Sequence, residues 1–272
     1  MNFSEQAGEI LAAMRDKRPL VHCITNYVTA ADTANMLLAA GASPIMSDDP
    51  NEAAEVAAAS DALVLNMGTL SERHALAMLA AGRAANKKGI PVVLDPVGVG
   101  LTAFRKETAK AIFREIGITA VRGNAAEISA LAELFRDSPL PHGGALACGV
   151  DCMGGETRDI AENASLRLGC VCAVTGGEDV ISDGVRTITL HGGTQLLRQI
   201  TGAGCMASAL CGAFCSAAEP LYGAAMGTAF MRACGELAAE KAALMGTLHT
   251  ELFNAACMDG KAFCERLRAD EH

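Results

Sequence analysis

Apolar runs of strand length alternate with Ala-rich or amphipathic helical stretches over most of the chain, the pattern of a parallel sheet covered by helices. The runs at 20–24, 43–46, 62–66, 91–95, 118–121 and 170–174 are nearly all apolar, as strands buried on both faces must be. Two more, at 179–182 and 185–190, flank Asp183-Gly184, a dipeptide suited to a tight turn, and are expected to pair as an antiparallel hairpin. Beyond them the periodicity predicts helices only. The expected fold is α/β: a mostly parallel central sheet with helices on both faces, closed by an antiparallel edge hairpin. The stretch 137–155, with Pro139, Pro141 and several glycines, reads as a long surface loop. No Pro/Ser-rich or charge-run linker divides the chain, so residues 1–272 are expected to form one domain.

In an open α/β sheet, ligands bind beyond the carboxyl ends of the parallel strands, and here those ends are polar or Gly-rich. Asn26 follows the first run, Met46-Ser47-Asp48-Asp49 the second, Asn66-Met67-Gly68-Thr69 the third, Asp95-Pro96-Val97-Gly98 the fourth, Arg122-Gly123-Asn124 the fifth and Thr175-Gly176-Gly177 the sixth. One such ending is ordinary helix-capping chemistry; six on one rim favour a site.

The sharpest chemical signal is Thr201-Gly202-Ala203-Gly204-Cys205, which feeds an uncharged helical segment at 206–218. Two glycines before a helix aim backbone N–H groups and the positive helix end at one small volume, an anion site needing no basic side chain. A cysteine there is expected to have its thiol pKa lowered from the free value of about 8.5, making Cys205 the candidate catalytic base. The plain alternative is a turn followed by a core cysteine.

Asp95 ends a very apolar strand, where a carboxylate is costly unless capped, solvated or bound to a cation. Asn124 with Glu127 has capping-box spacing, and a Glu in a first helical turn can also hold magnesium against a phosphate. Arg122 offers a guanidinium fork for phosphate oxygens, with a surface salt bridge as its alternative. Thr175-Gly176-Gly177 offers a hydroxyl and backbone amides, or is a plain turn into the hairpin. Met46 suits contact with a flat heteroaromatic ring, although most methionines pack in cores.

The net charge of −9 disfavours nucleic acid and anionic membrane as partners. The longest uncharged segment, 203–218, stops at Glu219-Pro220, short of the 18 or so apolar residues of a membrane span. Eleven cysteines and no secretory signal predict reduced thiols and a cytoplasmic location. Cys148 with Cys152 and Cys170 with Cys172 lack the partners of a zinc site and read as structural. Gly98-Val99-Gly100-Leu101-Thr102-Ala103 fits a dinucleotide-binding pattern, so a NAD(P)-dependent oxidoreductase is a rival from another class. Against it, Asp95-Pro96 separates strand from glycines and puts a carboxylate where pyrophosphate would lie. No Walker-type Gly-x-x-x-x-Gly-Lys-Ser/Thr occurs.

Together these residues resemble the hydroxyethylthiazole kinase family of the ribokinase-like superfamily, over nearly the whole length. The resemblance rests on His22-Cys-Ile-Thr-Asn-Tyr-Val-Thr29, Ser43-Pro-Ile-Met46, Asn66-Met-Gly-Thr-Leu70, Leu94-Asp-Pro-Val-Gly-Val-Gly100, Arg122-Gly-Asn-Ala-Ala-Glu-Ile128, Val174-Thr-Gly-Gly-Glu-Asp179 with Asp183-Gly184, and Thr201-Gly-Ala-Gly-Cys205. It implies ATP-dependent, magnesium-assisted phosphorylation of the side chain of 4-methyl-5-(2-hydroxyethyl)thiazole in thiamine biosynthesis or salvage. It further implies that Asn26, Met46 and Gly202 line the thiazole pocket, Arg122 and Thr175 hold ATP, Asp95 and Glu127 organise the metal, and Cys205 accepts the hydroxyl proton. By the same resemblance the chain is expected to form a homotrimer with sites between subunits. A related hydroxymethylpyrimidine or pyridoxal kinase is the nearer alternative. Ala203 departs from the Thr or Ser common in the family's turn, and 143–169 is unusually rich in Cys and Gly.

Overall fold

The computed structural model describes residues 2–136, 156–242 and 244–272. The expected 137–155 loop, with Cys148 and Cys152, lies outside the described residues.

The chain runs α1 (Phe3–Lys17), β1 (Leu20–Ile24), α2 (Ala30–Ala40), β2 (Ser43–Met46), α3 (Ala53–Ala59), β3 (Ala62–Asn66), α4 (Glu72–Lys88), β4 (Val92–Asp95), α5 (Ala103–Glu115), β5 (Ala120–Asn124) and α6 (Ala125–Glu133). It continues with α7 (Thr157–Leu168), β6 (Val171–Thr175), β7 (Asp179–Ser182), β8 (Thr187–Leu190), a 3₁₀ turn (Gln195–Gln199), α8 (Ala203–Cys215), α9 (Pro220–Lys241), α10 (Met245–Ala256), α11 (Gly260–Arg266) and β9 (Ala269–Glu271). The strands form one sheet in the order β2-β1-β3-β4-β5-β6-β7-β8-β9. β1 through β6 are parallel, and β7, β8 and β9 are antiparallel to their neighbours.

The apolar runs form these strands because successive side chains enter two different cores. Val21, Cys23 and Val64 face the helices α1, α2, α8, α9, α10 and α11, whereas Ile24, Leu63 and Leu65 face α3 to α7. Two expectations change. The last segment is a strand, β9, which pairs with β8 although three residues are too few to show periodicity. The fifth strand is shifted to Ala120–Asn124, so that Arg122 belongs to the strand itself and Asn124 both ends it and caps α6.

Strand order places the site. From β1 the chain steps outward to β2, then returns across β1 to β3, so β1 and β3 are neighbours whose outgoing connections diverge. Their carboxyl ends flank a topological switch point, where a crevice opens. The N-terminus of α8, a helix buried along most of its length, points into that crevice.

Candidate active site

Three strand ends and one helix start meet there. Asn26, just after β1, donates through Nδ2 to Asn66 Oδ1 at the end of β3 (3.1 Å) and to Cys205 Sγ in the first turn of α8 (3.1 Å). Asn66 Nδ2 in turn donates to Cys205 Sγ (3.3 Å) and to Asp95 Oδ2 at the end of β4 (2.8 Å). The second turn of α8 closes the chain of bonds, with the Ser208 hydroxyl donating to Asp95 Oδ2 at 2.8 Å. Both amide orientations are fixed from outside: the Thr29 N–H and hydroxyl donate to Asn26 Oδ1, and Gly68 N–H donates to Asn66 Oδ1.

The glycines around this network have a steric reason. Gly202 caps α8 with φ 87°, a left-handed conformation, and a Cβ there would lie 2.5 Å from Thr29 Cγ2. At Gly204 a Cβ would lie 2.6 Å from Arg122 Nη1, so the guanidinium sits directly over the helix start. The Nε of Arg122 is buried with no hydrogen-bond partner among the described residues. A cation held over a helix N-terminus with donor capacity to spare is an arrangement for an anion.

That anion would lie in a cleft of about 450 Å³ whose walls include Arg122, Glu127, Thr175, Gly202 and Gly204. The structure thus brings seven of the eight candidates into one region. Arg122, Glu127, Thr175 and Gly202 line the cleft, and Asn26, Asp95 and Cys205 form the hydrogen-bonded floor beside it. Met46 stands apart. It ends the edge strand β2, is 37% exposed, and does not line the cleft of its own chain.

Electrostatics corrects one expectation. The Cys205 thiol is raised above its ordinary value because burial and the nearby Asp95 carboxylate outweigh the hydrogen bonds from Thr29, Asn26 and Asn66 that favour thiolate. The helix N-terminus does not win because Cys205 lies inside the first turn and is partly closed off from water. The Asp95 carboxyl is pushed up to about 6, burial being the largest cause and Glu127 adding to it, while Arg122 and the bonds from Ser208 and Asn66 oppose it.

Asp95 is therefore neither a helix cap nor a solvated acid. Glu127 completes the expected capping box with Asn124, and its Oε1 also accepts Gly98 N–H at 3.0 Å. That bond occupies the amide of the first glycine in the dinucleotide-like pattern, which removes it from pyrophosphate binding. The Gly176 amide, expected to be available, is likewise engaged by Asp179 Oδ1 at 2.8 Å. The Thr175 hydroxyl donates to Gly123 O at 3.2 Å.

No group of three or more His, Cys, Asp or Glu side chains suited to a metal occurs among the described residues. Asp95 and Glu127 nevertheless form a pair of hard oxygen donors within electrostatic reach of each other and of Arg122. Such a pair fits a cation that keeps most of its waters and binds mainly to substrate phosphates, as magnesium does, rather than one held in a full protein cage.

The sequence assigns no individual site role to Asn66, Ser208, Thr29 or Arg232. Asn66 was visible as a strand end, but its role depends on the β3–β4 register that sets it opposite Asp95. Ser208 is a small residue in an apolar helix, and only its i+4 relation to Gly204 hinted that it faces the site. Arg232 lies deep in α9 and reaches the cleft from the far side.

The sequence profile of the Hydroxyethylthiazole kinase family matches residues 11–258. The chain is 43% identical over 273 residues to hydroxyethylthiazole kinase of Ruminiclostridium cellulolyticum, covering 99% of this chain and 98% of that protein. It is 42% identical over 254 residues to the Haemophilus influenzae enzyme of the same name, covering 92% of this chain and 91% of that one. Among solved structures, the hydroxyethylthiazole kinase protein from Pyrococcus horikoshii OT3 superposes with a TM-score of 0.89 at 35% identity, over 98% of this chain and 99% of that one. Pyridoxal kinase from Staphylococcus aureus in complex with ADP shares the fold, with a TM-score of 0.57 at 16% identity over 80% of this chain and 87% of that one. A family match over residues 11–258, with relatives more than 40% identical over nearly the full length, places this chain in the hydroxyethylthiazole kinase family, whose members are phosphotransferases.

Proposed function

We propose that this chain transfers the γ-phosphoryl group of ATP to the primary hydroxyl of 4-methyl-5-(2-hydroxyethyl)thiazole, with magnesium, in the thiamine pathway. The observation that carries the reading is the junction at α8: the Arg122 guanidinium over the helix start, an arrangement for an anion, adjoins a network of neutral amides and a thiol suited to a small polar acceptor. In the reaction the alcohol oxygen bonds to Pγ, the bond from Pγ to the bridging oxygen breaks, ADP leaves with that electron pair, and the hydroxyl proton is released.

Each residue has a task in that step. Arg122 and Thr175 hold the ATP phosphates, and the Gly202 to Gly204 backbone cups the migrating group as its charge spreads. Asn26 and Gly202 position the thiazole alcohol next to Cys205. Since the resting thiol is largely protonated, Cys205 orients the hydroxyl and acts as base only through its minor thiolate fraction. The loose transition state of phosphoryl transfer needs little deprotonation, so the cradle supplies the larger share of the rate. Magnesium, held through Asp95 and Glu127, would neutralise phosphate charge.

We further propose a homotrimer acting in the cytoplasm, with Met46 completing the thiazole pocket of an adjacent subunit. The exposed Tyr27, Val28 and Leu38 near the β1 and β2 edge, together with Met46, support this placement. No described helix is long and apolar enough to cross a membrane.

The test is ADP release with the thiazole alcohol, hydroxymethylpyrimidine and pyridoxal as rival acceptors. The thiazole is expected to give the highest kcat/KM by at least about a hundredfold, the discrimination a pocket built on specific hydrogen bonds provides. Preferential turnover of pyridoxal or the pyrimidine would reassign the acceptor, and NAD binding without ATP turnover would exclude a kinase.

A further inference from the structure

Two glycine loops on the nucleotide side of the cleft are held by one helix. Gly176 and Gly177 follow β6, and Gly192 and Gly193 follow β8; all four line the cleft. Arg232, on α9, reaches both. Its Nη1 pairs with Asp179 Oδ2 at 2.6 Å, and its Nη2 donates to Gly177 O at 3.1 Å and to Gly192 O. Asp179 passes the restraint on, since its Oδ1 accepts Gly176 N–H. One turn further along α9, Glu236 Oε1 accepts Gly193 N–H.

The fit is close. Gly193 has φ 81°, and a Cβ there would lie 3.1 Å from Cζ, Nε and Nη2 of Arg232, so the loop backbone lies against the guanidinium. The ion pair is buried, with side-chain exposures of 11% for Arg232 and 6% for Asp179. Its Nη1 and Nη2 are engaged by protein groups, while its Nε, like that of Arg122, is buried with no hydrogen-bond partner among the described residues.

We propose that Arg232 is a positioning residue for the nucleotide: through Asp179, Gly177 and Gly192 it fixes two glycine loops in their binding geometry. The inference rests on the assignment of this cleft to ATP. Glycine loops left without the clamp would sample many conformations, and ATP binding would then carry the entropy cost of ordering them. The acceptor side, built from β1, β3 and β4, makes no use of Arg232.

The experiment compares wild type with Arg232→Lys by steady-state kinetics, by calorimetric titration with AMP-PCP and by thermal melting. Lysine keeps a charge for Asp179 but, as a point charge on a single nitrogen, cannot also span two carbonyls. The expected result is a rise of about tenfold in ATP KM and in the AMP-PCP Kd, the weight of about one net hydrogen bond. The KM of the thiazole alcohol stays within about twofold, because none of its contacts changes. If the lysine variant does not fold, the double variant Arg232→Met/Asp179→Asn, which removes both charges together, is read in the same way. Unchanged ATP KM and Kd in a folded variant, or equal rises in both KM values, would overturn the proposal. Wild-type protein that fails to bind AMP-PCP overturns the kinase reading itself, and the wild-type measurement alone reveals it.

Discussion

Cys205 shows how a side chain's neighbours override its position. A helix start favours thiolate, yet the sulfur is shielded from water and lies near Asp95, so the neutral thiol prevails. The two amide N–H groups aimed at it from Asn26 and Asn66 are donors a carboxylate would also accept. Cys205→Asp is therefore expected to retain kcat within about tenfold of wild type, whereas Gly204→Val, which drives a side chain into Arg122, removes activity; single-turnover phosphorylation checks both. An active Gly204→Val enzyme would refute the phosphate cradle. Asp95 makes a separate prediction. Its folded pKa of about 6 lies above the ordinary carboxylate value of 3.8, so the folded state binds the proton more tightly than the unfolded state. Its ionisation thus costs nothing below about pH 4, and the cost grows as pH rises through 6. Asp95→Asn is expected to stabilise the metal-free protein by about 1–3 kcal/mol at pH 7.5 and by almost nothing near pH 4, while losing activity. Melting curves in a chelating buffer at the two pH values measure the difference, and a gain independent of pH would contradict the assignment.

The pairing of α8 with α9 decides whether the anion site is held rigidly. A Cβ on Gly227 of α9 would lie 2.3 Å from the Cys211 backbone nitrogen of α8, and one on Gly223 would lie 2.6 Å from Cys215 Cα. These glycines let the helix backbones touch, and the obstacle to a larger residue is main chain rather than a movable side-chain end. Gly227→Ala is expected to cost about 1–3 kcal/mol despite alanine's better helix propensity. By contrast, Gly246 in α10 has nothing within 4 Å of its Cβ position, and Gly246→Ala is expected to add up to about 1 kcal/mol. Urea denaturation of the two variants tests the contrast; equal effects would show that the helices have room to part. On the other face, Arg105 of α5 donates to the carbonyls of Met67, Gly68 and Val97, tying the β3 and β4 ends together beneath the crevice.

For the whole molecule, the proposed role of Met46 requires a second copy of the chain. It sits at a sheet edge and does not line its own cleft; Met46 and, in the segments after β1, Tyr27, Val28 and Leu38 are exposed apolar side chains that a second copy would cover in the proposed trimer. The proposed trimer predicts a solution mass about three times the 28.0 kDa of one chain, readable by light scattering. It also predicts that Met46→Ala raises the thiazole KM by about five- to tenfold with the ATP KM unchanged, since a lost apolar contact affects only the group it touched. A monomer with wild-type activity would remove Met46 from the pocket.

Local pattern sufficed for the existence and order along the chain of the six parallel strands, though not for the bounds of the fifth, and for the Asp183-Gly184 hairpin, the capping box at Asn124 and the glycine turn at Gly202, because each rests on periodicity or on the backbone freedom of one residue type. The motif order in the sequence likewise carries the family resemblance. Strand register and helix packing settled the rest: Asn66 opposite Asp95, Ser208 turned onto the same carboxylate, Arg232 bridging two loops, and β9 recruited by β8. The protonation preference of Cys205 belongs with these, since burial and a charge contributed by another strand are properties of folded space that no stretch of sequence carries by itself.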